Sequence, residues 1–269
     1  MGSLLPEGIT SINEICRQAK NNLGQPERAP YIAHKDLLAM AKATPPQEVA
    51  PTVSSFADWV LSLYKKSSND EAAKYRGEAG ELVVVDGVLR DLTQERRERW
   101  ERIQAKKQID MAYYATKRFP GNEWELEFNG TSAADIKPLE ITALRVNQRP
   151  LLAKPDLVFR HQRSGNVLIV ELKTWNGQGR LPPFGWPNLK VQLWCYGMID
   201  LWRDAPNIFL QGWVWRWIDR PHCAQPGVDS GLQHPGIVLQ PWLSNDSRVH
   251  SESVELFEAF GGYYAAPVP

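Results

Sequence analysis

Lys154-Pro155-Asp156-Leu157-Val158-Phe159-Arg160 and, beyond a short polar link, Val167-Leu168-Ile169-Val170-Glu171-Leu172-Lys173 form two strand-like runs, 151–160 and 166–174, with Glu171 fifteen positions past Asp156. The link, 161–165, has hairpin length and contains Gly165, which predicts an antiparallel pair. If the loop is even and centred on Ser164-Gly165, Asp156 lies directly across from Lys173 and Glu171 sits on the diagonal. Side chains alternate faces along a strand, so all three then project from one side of the sheet, whereas an odd loop would split them. Diagonal neighbours are roughly 7–8 Å apart at the backbone. Two carboxylates at that spacing can reach one small divalent ion, with ligand distances of about 2.0–2.1 Å.

The apolar run 167–170, continued by Leu172, is the pattern of a strand covered on both faces. Ionised groups at the end of such a strand are expensive to desolvate and are kept when paired or bound to metal. An ordinary Asp156–Lys173 ion pair on a half-exposed hairpin also fits the two motifs, and the downstream sequence bears on the choice. A helix over 189–202 carries Gln192 and Tyr196 one turn apart on the same face.

In this order, Pro-Asp, Glu-x-Lys on the next strand and a helix with Gln-x-x-x-Tyr, the chain resembles the RecB-like branch of the PD-(D/E)xK nuclease superfamily. The likeness spans roughly residues 70–220, and Pro-Asp and Glu-x-Lys each occur once in the sequence. It implies an α/β fold, a restriction-endonuclease-like central mixed β-sheet flanked by helices, and metal-dependent hydrolysis of phosphodiester bonds in DNA, favouring an exonuclease. A sequence- or structure-specific endonuclease, and a scaffold that binds nucleic acid without cutting, are the alternatives.

The resemblance also implies roles. Asp156 and Glu171, with the backbone carbonyl of Leu172, would bind Mg²⁺ or Mn²⁺. Lys173 would orient the attacking water, while Gln192 and Tyr196 would position the cut strand or tether Lys173. An acidic residue on a helix ahead of the sheet is expected as well. Glu81 in Gly77-Glu78-Ala79-Gly80-Glu81 fits it, with Glu78 as competitor on the same helix face.

The remaining sequence sets bounds. A chain of 269 residues holds one substantial domain with an accessory region, here an N-terminal helical extension, 1–68, before a nuclease domain, 69–269. Helices are expected at 11–22, 34–43 and 54–65, the first stopped near Gly24 and the second by Pro45-Pro46, then a helical stretch to about 119. Strands follow at 123–128, 140–147 and 208–219, and a last helix at 254–260. Thirty-one basic and thirty-one acidic residues cancel, which excludes a uniformly basic surface but not a local groove. No long apolar run or leader-like start occurs, so a cytoplasmic protein without membrane contact is expected.

Three cysteines without Cys-x-x-Cys spacing exclude the iron–sulfur subgroup of these nucleases. No phosphate-binding Gly-x-x-x-x-Gly-Lys motif occurs, so any unwinding would come from a helicase or other DNA-processing protein acting with the chain on its DNA substrate. The basic residues around 96–107 alternate with Glu95, Glu98 and Glu101, as on a solvated helix. Trp213, Trp215 and Trp217 share one strand face, which reads as core ahead of a base-stacking row.

Overall fold

The computed structural model describes residues 12–25, 27, 30–44, 46, 50–65, 124–130, 136–175, 180–217 and 232–265, with the side chains of 12–13, 215–217 and 232–238 excepted. Three helices come first: α1 (Ile12–Asn22), α2 (His34–Ala43) and α3 (Val53–Tyr64). Thr52 caps α3 by accepting from the Ser55 N–H at 3.1 Å, one of the orphan donors at a helix start. Then come β1 (Trp124–Asn129), β2 (Leu139–Val146), β3 (Arg149–Ala153), β4 (Leu157–His161), β5 (Val167–Trp175), α4 (Pro187–Tyr196), β6 (Ile208–Trp217), β7 (Leu232–Val238), β8 (Trp242–Leu243), α5 (Ser247–Ala259) and β9 (Gly262–Tyr264).

The main sheet is mixed and runs β1-β4-β5-β6-β7, with β8 pairing β6. Its centre is a βαβ unit in which β5 and β6 are parallel and α4 makes the crossover. The fold is therefore mixed α/β, a mixed central sheet flanked by helices. One expectation fails. The run 151–160 is not one strand but two, broken at Lys154-Pro155-Asp156, and its first half, β3, joins a separate three-stranded sheet, β3-β2-β9. Proline cannot donate to a ladder, so pairing changes partner there.

Two valines, two leucines and Ile169 fill the first part of β5, whose first six residues are buried. On the Glu171 face the core gathers Val158, Ile169, Leu210 and Val214 with Leu189, Leu193 and Tyr196 of α4, Phe56 and Val60 of α3, and Phe257 of α5. Residues of the N-terminal helices thus share one core with the sheet. Gly212 governs how closely α4 approaches. A Cβ there would meet Leu189 Cδ2 and Leu239 Cδ1, each at 2.8 Å.

The helix expected over 189–202 ends at Tyr196. A turn at Gly197-Met198 and a 3-10 helix, Asp200–Trp202, replace its last turns. Among the described residues, no helix is long and apolar enough to cross a membrane.

Candidate metal and nucleic-acid site

The hairpin loop is even, as the same-face geometry requires, but its centre is shifted by one residue. The His161 N–H donates to the Asn166 carbonyl at 2.8 Å, leaving 162–165 as a four-residue loop centred on Arg163-Ser164. Gly165 occupies its last position at φ +70°, where a side chain would be strained. Pairs then run from Arg160↔Val167 to Leu157↔Val170. Carried one step past the end of β4, this register sets Asp156 across from Glu171, not from Lys173. The parity survives, so Asp156, Glu171 and Lys173 still belong to one face.

Pro155 has a definite effect on this ladder. His161 and Asn166 form a hydrogen-bonded pair, and such pairs recur every second residue; continued past Leu157↔Val170, the last pair of the ladder, the register would set Pro155 opposite Leu172 at the third such step. Proline has no N–H to give the Leu172 carbonyl, so that oxygen is not consumed by β4. The Leu172 N–H is taken by the Asp156 carboxylate at 2.7 Å. The Pro-Asp pair thus frees one oxygen on β5 while placing another beside it.

Glu171 is 3 % exposed. Its Oε1 accepts from Lys173 Nζ and from Gln192 Nε2, both at 2.6 Å, while Oε2 is buried with no hydrogen-bond partner. A bare carboxylate oxygen away from water is costly, so it marks a place where a cation or donor belongs. Gln192 is also buried and spends its second N–H on Tyr196 OH at 2.9 Å. Tyr196 OH in turn donates to the Lys154 carbonyl at 3.3 Å. Burial, reinforced by the Glu171 and Asp156 charges, pushes the Tyr196 phenol well above its usual value, so it stays a donor.

The helix pair therefore tethers Glu171 and ties it back to the Pro-Asp bend. Lys173 keeps 27 % of its side-chain surface in solvent and Asp156 is also half-buried, so both are open to approach while Glu171 is not.

Asp58 was not expected here. It lies on α3, which packs against α4, and its carboxylate feels the Lys173 ammonium. Although the residue as a whole is solvent-accessible, the protein around its carboxyl raises it above the ordinary aspartate value, with Lys173 opposing. No motif surrounds it in the sequence, and only the fold brings α3 to the site. Glu78 and Glu81, and the basic residues around 96–107, lie outside the described residues. Trp213 is core, 2 % exposed against Phe159, while the side chains of Trp215 and Trp217 lie outside the description. Arg180 donates to the Pro30 carbonyl at 3.1 Å.

Two carboxylates and a ladder-free carbonyl are hard oxygen donors of the kind that suit Mg²⁺ or Mn²⁺. Among the described residues, no group of three or more His, Cys, Asp or Glu is placed to hold one metal ion. The fit thus rests on Asp156, Glu171 and the Leu172 carbonyl. Comparison with protein-family models, with curated proteins and with solved structures returns no match to this chain.

Proposed function

We propose that the chain is a metal-dependent deoxyribonuclease of the RecB-like PD-(D/E)xK type, on a restriction-endonuclease-like fold, acting as an exonuclease. The observation that carries this reading is the buried Glu171 carboxylate with one oxygen bonded by Lys173 and Gln192 and the other left bare beside the Pro-Asp bend. A structural ion pair alone would not leave that oxygen without a donor. The site also lies toward the carboxyl end of β5, where parallel strands with a helical crossover present ligand-binding groups.

Asp156, Glu171 and the Leu172 carbonyl would hold Mg²⁺ or Mn²⁺. When bound, the ion supplies Lewis acidity toward a phosphate oxygen and acidifies water. Lys173, partly exposed, presents its ammonium to the negative charge of the phosphate and to the attacking water. Gln192 and Tyr196 are positioning residues: their hydrogen bonds fix the Glu171 rotamer and the Lys154 carbonyl, so the carboxylate need not reorganise when substrate arrives. DNA is the substrate, and duplex ends would be opened by a separate helicase or DNA-processing protein.

The test is incubation of purified protein with linear, circular and single-stranded DNA in Mn²⁺. Linear and single-stranded DNA should shorten while circles survive. Asp156→Ala and Lys173→Ala should each abolish cleavage with the fold intact, and Glu171→Gln should weaken divalent-ion binding by calorimetry. Cleavage persisting in both alanine variants would put the chemistry elsewhere. Failure to cut any substrate would leave a nucleic-acid-binding scaffold.

A further inference from the structure

At the opposite end of the main sheet lies a cavity of about 420 Å³, within the size range of small-molecule sites. Ile208, which begins β6 on its wall, pairs with Val167. Glu171 pairs with Gly212, four residues further along both strands, a rise of about 13 Å, so the cavity is separate from the carboxylate cluster. Met198, Ile208 and Leu243 give it an apolar wall, while Arg145, Ser244 and Asn245 give it polar groups.

Arg145 is the feature that needs explaining. It is half-buried and makes no ion pair among the described residues. Its Nε donates to the Thr142 carbonyl at 3.3 Å, which leaves the two terminal nitrogens of the guanidinium uncommitted. Neighbouring Arg203 is different, since it is bonded to Asp200 and to Thr142 Oγ1. The backbone around Arg145 is also irregular. The β2–β3 register shifts between Ile141 and Arg145, and such bulges redirect side chains.

Asp200 pins that bulge from the 3-10 helix. It accepts from the Thr142 N–H at 3.1 Å and from Thr142 Oγ1 at 3.0 Å. A carboxylate from one element therefore holds a bend that delivers an unneutralised guanidinium to a largely apolar cavity.

We propose that this cavity is a second binding site, for a small organic anion: one phosphate monoester or carboxylate group, held by Arg145, on a compact apolar body. The proposal is independent of the nuclease reading. It is tested by isothermal titration of the whole protein in EDTA with phenyl phosphate and with benzoate, using phenol and inorganic phosphate as controls. One saturable site should appear for at least one of the two aromatic anions, and which one distinguishes a phosphate from a carboxylate ligand.

Arg145→Gln should weaken that binding about tenfold or more, the loss expected for a charge-assisted pair. Ala205→Phe, which fills the cavity from the turn after the 3-10 helix, should abolish it, and carries the test if Arg145→Gln lowers the melting temperature. Glu171→Gln should bind as the wild type. The proposal fails if neither anion saturates a site, if Arg145→Gln binds normally, if Ala205→Phe binds normally, if phenol or phosphate alone binds equally well, or if Glu171→Gln abolishes binding.

Discussion

Removing the Lys173 ammonium should cost more than an ordinary surface lysine is worth. The Glu171 side chain is 4 % exposed, and one of its oxygens accepts two hydrogen bonds at 2.6 Å while the other accepts none. Lys173→Met removes the counter-charge and leaves the carboxylate with the Gln192 amide alone. Breaking a buried pair from one side costs about 3–5 kcal/mol, and the lower end applies because Lys173 is itself 27 % exposed and water can enter where its head group was.

Glu171→Gln behaves differently, because its amide oxygen still accepts from Gln192 and no buried charge remains. Its cost should stay within about 1 kcal/mol. The double variant should then resemble Glu171→Gln, giving a coupling of about 3 kcal/mol in magnitude, the whole cost of Lys173→Met. Urea unfolding in EDTA, followed by tryptophan fluorescence, reads this directly. With a slope of about 3 kcal/mol/M, Lys173→Met should shift the midpoint by about 1 M. Added Mn²⁺ should return part of the loss in Lys173→Met and less in the double variant, since an ion that binds only the folded state stabilises it. A midpoint for Lys173→Met within error of the wild type, with no coupling, would mean the carboxylate is solvated and the argument from its burial is wrong.

Two further outcomes follow from packing and titration. Gly212→Ala pushes a methyl into Leu189 Cδ2 and Leu239 Cδ1 and should destabilise by about 1–3 kcal/mol, with cleavage falling because Leu189 is one turn ahead of Gln192. Adding Leu189→Ala should restore activity in part, and no rescue would disconnect that contact from the site. Desolvation lowers the His250 imidazole below its ordinary value, while Trp194 Nε1 donates to its Nδ1 at 3.2 Å, so the folded state favours neutral histidine. The unfolded chain then binds more protons, and this contribution is present above about pH 6.5 and lost as pH falls toward the lowered folded value. His250→Gln should flatten stability between pH 7 and 5 relative to the wild type, and an unchanged slope would assign the acid loss to other groups.

Legibility in the sequence followed the density of local constraint. The strand β5 and helix α2 were readable because an unbroken apolar run and a Pro-bounded periodic stretch each admit one solution. The face shared by Asp156, Glu171 and Lys173 was readable because a hairpin's parity depends only on whether its loop is even. The register within that parity was not. Gly165 closes the loop at φ +70° instead of sitting at its centre, and nothing local distinguishes those placements. Residues 151–153 look like a continuation of β4, yet they belong to another sheet. Alternation reports that a strand has two faces, not which neighbour it pairs with.

The same distinction explains why Pro155 is more than a strand breaker. At an isolated strand end, an absent N–H is merely tolerated. Here the β4–β5 register, continued past its last pair at Leu157↔Val170, would set it opposite Leu172, in the strand that carries both Glu171 and Lys173 and in phase with the His161–Asn166 pair. One missing donor leaves the Leu172 carbonyl out of the ladder, and the next residue, Asp156, recovers the Leu172 N–H with its side chain. Sequence supplies the two letters, but their consequence appears only once the pairing is known. A proline and an aspartate together convert the end of an ordinary antiparallel ladder into a cluster of oxygens. Replacing Pro155 with alanine would return a donor to the ladder and withdraw the carbonyl, even though no charged group is touched.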